Sequence, residues 1–208
     1  KSQMGEDKEI LKLFKEDYKG NYVDIGCYHP TNYSNTHTLY KKGWRGLNID
    51  LNPLSIELFN VHRPNDINLN LAISNDESFK NLYFLDDLNT QNTLELNHIE
   101  FLKTHHGVKS EEITIQKIQT YRLDKVLDQY NFKQIDFLNI DVEGHEINII
   151  KSINFNKYKI KVICIEMLNH NKKSELINRE LEEYILSKDY IISKKIGLNY
   201  IFYKNEKK

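Results

Sequence analysis

The sequence contains few cysteines and few prolines. Its 208 residues include 2 Cys and 3 Pro. Cys27 and Cys164 lie far apart in the chain and give no disulfide framework, which is typical of a protein from a reducing compartment. We therefore expect a cytoplasmic protein. Since no Pro-rich or Ser-rich stretch divides the chain, we also expect one domain over residues 1–208.

An excess of either charge is also absent. The chain has 29 Lys and Arg against 30 Asp and Glu, for a formal net charge of -1 at pH 7. This balance gives no bulk attraction to nucleic acid or to an anionic membrane. Apolar runs such as residues 160–167 are strand-sized, whereas a membrane span needs roughly 20 apolar residues. We expect neither nucleic acid nor membrane as a partner, and the oligomeric state stays open.

What the sequence does contain is an alternation of strands and helices. The predicted strands cover residues 21–25, 47–50, 67–73, 82–85, 113–118, 135–140, 161–167, 190–194 and 199–203. The predicted helices cover residues 36–42, 53–62, 123–130, 147–153 and 175–187, after a leading helix over residues 7–19 of a segment 1–20. This order predicts an α/β, Rossmann-like fold with a mostly parallel sheet and helices on both faces. The last two strands, around Gly197, predict a C-terminal antiparallel hairpin.

Three of the predicted strands end near an acidic residue. Residues 22–30 read YVDIGCYHP and residues 135–146 read IDFLNIDVEGHE, so each apolar run stops at an aspartate and then turns through glycine. These aspartates are Asp24 and Asp141, and Asp50 ends a further strand. The carboxyl ends of parallel strands meet at one edge, where open α/β sheets bind ligands. The pattern predicts a pocket for a nucleoside-type cofactor with a reaction site beside it.

The turn after the first strand carries one glycine. Gly26 would let backbone N–H groups meet the charged end of a ligand. The three-glycine dinucleotide fingerprint is absent, because residues 27–30 read CYHP. Asp50 follows after about 20 residues, where a carboxylate accepts both ribose hydroxyls. Two simpler interpretations stay open: the Asp-x-Gly turn is ordinary turn chemistry, and Asp50 caps the next helix through Asn52 and Pro53.

These segments and several others resemble the FkbM-type, S-adenosylmethionine-dependent methyltransferases, in a branch with a His-Pro turn after the first strand. The matching segments are VDIGCYHP (23–30), SNT (34–36), YKKGWRG (40–46), IDLNP (49–53), SIELF (55–59), RP (63–64), NLN (68–70), AIS (72–74), IDFL (135–138), IDVEGxE (140–146, with x at residue 145) and IKS (150–152). The resemblance implies a class I methyltransferase fold that uses S-adenosylmethionine. It also implies an O-methyltransferase whose acceptor is a hydroxyl of a sugar, a glycan or a natural product.

The same resemblance implies which residues bind the cofactor. Residues 24–29 would surround its methionine part, Asp50 would hold its ribose, and residues 70–73 would lie beside its adenine. The implied cofactor-binding residues are Asp24, Gly26, Cys27, Tyr28, His29, Ser34, Thr36, Asp50, Leu51, Asn70, Ala72 and Ile73. The sequence departs from the commoner family pattern at the first turn, where His29 and Pro30 stand in place of a second glycine.

Three side chains after the strand at residues 135–140 are candidates for the reaction. A hydroxyl is a poor nucleophile, and a positioned base typically adds about 10²–10⁴-fold to the rate. Asp141 or Glu143 would orient or deprotonate the acceptor hydroxyl, and His145 is a competing base because its unperturbed pKa is about 6.5. Alternatively, Glu143 and Glu146 are acids that complement a helix N-terminus, and His145 has a structural role.

Some expectations concern the surroundings of this site. No residue spacing is diagnostic of a metal site, and we expect no protein-held metal. The polar segment 86–112 is long for a connection, and we predict that it covers the acceptor side as a lid. Two other functions stay open. One is an NAD-dependent oxidoreductase on a related sheet, which the missing glycines disfavour, and the other is a catalytically inert cofactor-binding module.

Overall fold

A computed structural model of the chain describes residues 2–86, 89–169 and 177–205. In chain order the strands are β1 (Asn21–Ile25), β2 (Arg45–Asp50), β3 (Ile67–Asn70), β4 (Ala72–Ser74), β5 (Phe79–Phe84), β6 (Thr114–Arg122), β7 (Gln134–Ile140), β8 (Lys159–Glu166), β9 (Tyr190–Ile196) and β10 (Asn199–Lys204). The helices are α1 (Glu6–Leu11), α2 (His37–Lys41), α3 (Pro53–His62), α4 (Leu96–His106), α5 (Leu123–Gln129), α6 (Glu146–Lys151) and α7 (Arg179–Leu186).

The larger sheet confirms the predicted fold class. Its seven strands run in the order β3-β2-β1-β7-β8-β10-β9. The first five of these are parallel to their neighbours, whereas β10 is antiparallel to both β8 and β9. The C-terminal hairpin is therefore where the sequence predicted it. Since the order reverses direction between β1 and β7, the carboxyl edge at these strands is the switch point at which such sheets bind ligands.

Side chains alternate between the two faces of this sheet, as the period of a strand requires. Val23 and Leu138 point into the larger core, which α5, α6 and α7 cover with buried residues such as Leu127 and Ile149. The core on the opposite face contains Ile10 of α1 and Leu39 of α2. The strand residues that point into it are Tyr22, Phe137, Val162, Cys164 and Ile201. Helices thus cover both faces, as predicted.

A second sheet, in the order β4-β6-β5, was not predicted. The prediction of a single strand over residues 67–73 is wrong, because β3 pairs with β2 only as far as Asp50 opposite Asn70. The next residues, Ala72–Ser74, pair instead with the end of β6. The two exposed strands predicted around residues 82–85 and 113–118 do form an antiparallel pair, β5 with β6.

Two helices differ from the prediction. The leading helix ends at Leu11 rather than near residue 19, because Phe14 and Tyr18 turn to pack edge-on against Trp44. Helix α4 lies within the polar stretch that showed no firm period. Few of its residues are buried, Ile99 and Leu102 among them, so its apolar side is too narrow to be visible in the sequence.

The last predicted helix begins later than expected. Its predicted start, residue 175, lies outside the described residues, and α7 begins at Arg179 behind the N-cap Asn178. No helix in the described ranges is both long and apolar enough to cross a membrane. That residues 1–208 form one domain stays a prediction.

Candidate functional site

The strand register brings the predicted acidic edge together. Ile25 of β1 lies opposite Ile49 on one side and Ile140 on the other. The residue after each of these isoleucines is Gly26, Asp50 and Asp141 respectively. The Asp141 N–H donates to the Ile25 carbonyl at 3.0 Å and the Gly26 N–H to the Ile49 carbonyl at 2.9 Å. Two carboxylates therefore flank one glycine at the carboxyl edge of the sheet.

Gly26 is required by its neighbour as well as by its conformation. Its φ is +74°, a left-handed value that favours glycine. A Cβ at this position would lie only 1.7 Å from the Asp141 carbonyl oxygen. The glycine therefore lets the first turn and the segment after β7 come into direct contact, a reason that its place in the sequence did not reveal.

Asp50 is held by backbone donors. Its Oδ2 accepts from the Tyr28 N–H and its Oδ1 from the Asn52 N–H, each at 2.8 Å. Burial nevertheless raises the pKa of Asp50 to about 6. The side chain that caps α3 is Asn52, which accepts from the Leu54 N–H at 3.0 Å. The loop after β1, through Tyr28, and the loop after β2, through Asn52, thus fix the Asp50 carboxylate. It keeps lone pairs for a ligand between these two loops.

Asp24 is the second-to-last residue of β1. Like Tyr22, two residues earlier, its side chain lies on the face of the sheet that α1 and α2 cover. Its two oxygens accept from Thr36 Oγ1 at 2.6 Å and Asn139 Nδ2 at 2.9 Å. Behind it the guanidinium of Arg63, which is only 1% exposed, donates to Thr36 Oγ1 and Ser34 Oγ at 2.8 and 2.9 Å. This network fixes the segment after the first turn, and burial in it raises the pKa of Asp24.

The turn after β7 has a strained conformation. Glu143 has a positive φ of 55°, which is uncommon for a residue with a side chain. Glu146 stabilises the turn, because its Oε1 accepts from the N–H groups of Val142 and Gly144 at 3.0 and 3.1 Å. Glu146 therefore has the structural role that was one alternative. Glu143 precedes α6, so it is not an acid of that helix's first turn.

Glu143 and Asp141 differ in their partners. The Glu143 Oε1 accepts from Gln91 Nε2 at 2.8 Å, and burial beside Asp141 and Glu146 raises the pKa of Glu143 well above its ordinary value. Burial, with the charges of Asp24 and Glu6, raises the pKa of Asp141 to about 6. Within the described ranges, no donor hydrogen-bonds to the Asp141 carboxylate.

His145 is 4% exposed, and both of its ring nitrogens have partners. Nδ1 lies 2.5 Å from Glu95 Oε1, and Nε2 lies 3.0 Å from Ser74 Oγ. These contacts tie α6 to β4 and to the N-cap of α4. His145 also lines the apolar cleft described below, and both its structural role and its role as a base stay predictions.

Two clefts open at this edge. The first, of about 650 Å³, has the apolar walls Ile49, Leu51 and Ile73 beside Asp50 and Asp141. We call it the apolar cleft. The predicted residues that line it are Gly26, Tyr28, Asp50, Leu51, Ala72, Ile73, Asp141, Glu143 and His145.

The second cleft, of about 710 Å³, lies on the other side of Asp141, and we call it the polar cleft. The predicted residues that line it are Asp24, Gly26, Cys27, Tyr28, Ser34, Asp141 and Glu143. It also has walls from the leading segment and from β10. The residues common to both clefts are Gly26, Tyr28, Thr90, Asp141 and Glu143. The two clefts therefore meet where the reaction site was predicted.

Three predicted cofactor residues line neither cleft. The His29 ring accepts from the N–H groups of Thr31 and Asn32, each at 3.1 Å, and so shapes its own turn. Thr36 is fully buried in the network around Asp24. Asn70 is exposed and donates to the Asp50 carbonyl at 3.0 Å. The side chains of these three residues hydrogen-bond to protein groups around the site and line neither cleft.

The predicted lid contributes to both clefts. Asn89, Thr90, Asn92 and Leu94 line the apolar cleft, and Thr90 with Gln91 lines the polar one. Thr93 Oγ1 donates to the Glu143 carbonyl at 2.8 Å, which attaches this stretch to the turn after β7. Residues 87 and 88 of the predicted lid lie outside the described ranges. Its role as a lid stays a prediction.

No group of three or more His, Cys, Asp or Glu in the described parts of the chain is arranged to hold a metal ion. Cys27 and Cys164 are both free and buried.

The family model described as the methyltransferase FkbM domain matches residues 24–192. The chain belongs to the FkbM methyltransferase family. Among curated proteins, none matches the chain significantly. The match begins at Asp24 and extends beyond α7, so both edge carboxylates of this FkbM methyltransferase domain lie within it. The resemblance in the sequence is confirmed at the level of the family.

Sequence reasoning missed several residues of the FkbM site. Arg63 and Ser74 belong to segments that resemble the family, but no role was predicted for them. Asn139 is a polar residue inside an apolar strand, and such a residue indicates a buried hydrogen bond. Gln91 and Glu95 had no signal, because they lie in the stretch whose helix was not visible. Glu6 and Asn199 come from the two ends of the chain, and only the fold brings them to the polar cleft.

Proposed function

We propose that this FkbM methyltransferase uses S-adenosylmethionine and methylates a hydroxyl group of a small polyhydroxylated acceptor, such as a sugar, a glycan or a natural product. The observation that carries the proposal is the junction of an apolar and a polar cleft at Asp141. The apolar cleft has walls for an adenosine, and the polar cleft has polar groups for the methionine part of the cofactor and, beside it, for an acceptor. Methyl transfer requires the two ligands to meet at such a junction.

The residues of the apolar cleft fit the proposed cofactor. Asp50 already has two backbone donors and keeps lone pairs for the two ribose hydroxyls. Ile49, Leu51 and Ile73 supply apolar surface for a flat base. Asp141 is a carboxylate without a hydrogen-bond donor among the described residues, which suits the positive charge that S-adenosylmethionine carries on its sulfur.

When bound, S-adenosylmethionine would supply a methyl group on a positively charged sulfur. The acceptor oxygen would form a bond to the methyl carbon as the carbon–sulfur bond breaks, and the electron pair of that bond would stay on sulfur. Alignment of the two reactants contributes most of the acceleration, about 7–11 kcal/mol at best. Asp141 is the better base of the two acids, because no donor among the described residues occupies its lone pairs and a pKa of about 6 leaves it ionised near neutral pH, whereas the pKa of Glu143 is raised well above its ordinary value. Glu143, fixed by Gln91, orients the acceptor hydroxyl. The acceptor proton passes to the Asp141 carboxylate.

Calorimetry with S-adenosylmethionine, its product S-adenosylhomocysteine and NAD tests the cofactor. We expect both sulfur compounds to bind and NAD not to bind, because the first turn lacks the glycines that a dinucleotide needs. Tight NAD binding without a response to S-adenosylmethionine would overturn the proposal in favour of an oxidoreductase.

The reaction needs a second measurement. Transfer of a labelled methyl group to members of a sugar panel would exclude an inert cofactor-binding module. Alkali-stable label on oxygen is the expected product. Label found only on an amine nitrogen would contradict O-methylation, and binding without transfer to any acceptor would favour the inert module.

A further inference from the structure

One buried histidine of α4 lies directly behind the reaction site. His98 is 1% exposed, and it lines neither the apolar nor the polar cleft. Its Nε2 lies 3.0 Å from Gln91 Oε1 and 3.7 Å from Glu143 Oε2. Gln91 lines the polar cleft, and Glu143 lines both clefts. The histidine is therefore one hydrogen bond away from residues that a ligand would meet.

The hydrogen bonds among these three residues run in one direction. Gln91 donates through Nε2 to Glu143 Oε1 at 2.8 Å. The other end of the Gln91 amide, Oε1, consequently faces His98, and an amide oxygen can only accept. His98 Nε2 must therefore carry its hydrogen and donate it. Each residue fixes the next, from His98 through Gln91 to Glu143, and we call these three residues the His98 chain.

The backbone on both sides of the His98 chain is fixed as well. Thr93 Oγ1 donates to the Glu143 carbonyl at 2.8 Å. The Thr93 backbone exchanges two hydrogen bonds with Tyr83 of β5, at 2.9 and 3.2 Å. Glu143 itself has a φ of 55°, a conformation that persists only where the surroundings determine it. The stretch before α4 and the turn after β7 therefore form one fixed unit.

The His98 chain leaves the Glu143 carboxyl group with a defined orientation. Gln91 contacts Oε1, whereas the distance of 3.7 Å from His98 to Oε2 is too long for a hydrogen bond. The chain thus acts on one oxygen of Glu143 and does not occupy the other. Without the His98 donor, the Gln91 amide could turn over and present its oxygen to the carboxyl group instead of its nitrogen.

We propose that His98 is a positioning residue of the reaction site and that, through Gln91, it fixes the orientation of the Glu143 carboxyl group at the junction of the two clefts. This inference rests on the proposed function, in which Glu143 orients the acceptor hydroxyl. The role depends on a single donor, the Nε2–H of His98, rather than on the bulk of its ring.

His98→Gln and His98→Asn separate the donor from the packing. Glutamine places its amide nitrogen about where histidine has Nε2, whereas asparagine places it about where histidine has Nδ1. With a reactive member of the sugar panel, His98→Gln should keep the wild-type kcat and His98→Asn should lower it about tenfold, because a small misplacement beside the reacting atoms is costly in rate. KM and the affinity for S-adenosylhomocysteine should stay within about threefold in both variants, since only an interaction of the transition state is lost.

A second measurement needs no acceptor. NMR of protein with carbon-13 in its Glu carboxyl groups reports on Glu143, whose resonance is identified by its loss in Glu143→Gln. We expect His98→Asn to shift this resonance and His98→Gln to leave it at the wild-type position. His106→Asn and His106→Gln, at an exposed histidine of the same helix, are the matched controls and should change neither the resonance nor the turnover.

The outcomes separate this inference from the proposed function. Equal turnover in His98→Gln and His98→Asn, or a Glu143 resonance that does not respond to His98→Asn, would overturn the inference and leave the proposed function unaffected. If His98→Asn does not fold, Gln91→Met breaks the His98 chain at its middle, and an unchanged kcat in that variant would overturn the inference equally. Wild-type protein that transfers no methyl group to any acceptor would overturn the proposed function, and the positioning role with it.

Discussion

Asp50 and Asp141 lie on either side of β1, and each has its pKa raised to about 6. Their surroundings differ. Both side chains are half-buried, but Asp50 accepts from two backbone N–H groups, whereas Asp141 has acidic neighbours and no donor in the described part of the chain. The comparison shows how one sheet edge offers both a preorganised binding group and a reactive one. A fixed carboxylate suits a ribose that must be placed the same way every time, and an unpartnered one suits a proton that must move.

The largest effect is expected at Asp141. Asp141→Asn should lower turnover by about 10²–10⁴-fold, the contribution of a general base, while the affinity for S-adenosylhomocysteine stays within about threefold. The measurements are initial rates with a reactive member of the sugar panel and calorimetry on the same protein. Asp189→Asn, at an exposed turn, is the control. Parallel loss of cofactor affinity and turnover would show that Asp141 is a binding group like Asp50 and remove the contrast.

Arg63 tests whether the contrast depends on the network behind the edge. Arg63→Met leaves Asp24 without its buried cation, and loss of one partner of a buried ionic network costs about 3–5 kcal/mol of unfolding free energy. Urea denaturation measures it. Arg45→Met, at an exposed arginine, should cost less than about 1 kcal/mol. Similar losses in the two variants would mean that the network does not stabilise the first turn.

At Asp50 we expect an effect on binding alone. Asp50→Asn replaces hydrogen bonds to a charged acceptor and should weaken S-adenosylhomocysteine binding by about 1.5–3 kcal/mol, as measured by calorimetry. Asp76→Asn, on an exposed loop, is the control. An unchanged dissociation constant would place the ribose away from Asp50.

The smallest effect is a pH dependence of stability without ligand. Asp141 has an ordinary pKa of 3.8, which the unfolded chain keeps, and about 6 in the folded protein. Because the folded state holds this proton more tightly, its stabilising effect is complete below pH 4 and is lost as the pH rises through about 6. The unfolding free energy of the wild type relative to Asp141→Asn should therefore fall by about 1–3 kcal/mol between pH 4 and 7. A difference that is constant with pH would contradict the raised pKa.

The same two residues show how far the sequence leads. The alternation of strands and helices predicted the parallel sheet, and the last two strands predicted its hairpin. Apolar runs that stop at an acidic residue predicted that Asp50 and Asp141 share one sheet edge, because the apolar pattern of a strand specifies its pairing register. The roles of His29, Thr36 and Asn70 were not predictable in this way. The His29 ring bonds within its own turn, whereas Thr36 and Asn70 bond to Asp24 and to the Asp50 carbonyl on strands that are distant in the sequence. Glu6, Asn199 and helix α4 were missed because tertiary packing, rather than local periodicity, brings them to the site.

A crystal structure with S-adenosylhomocysteine is the most direct test of the two-cleft site. We expect the ribose hydroxyls on the Asp50 carboxylate, the adenine between Leu51 and Ile73, and the sulfur at the junction beside Asp141, open to the polar cleft. A ribose bound elsewhere, or a sulfur that faces away from Asp141, would contradict the account.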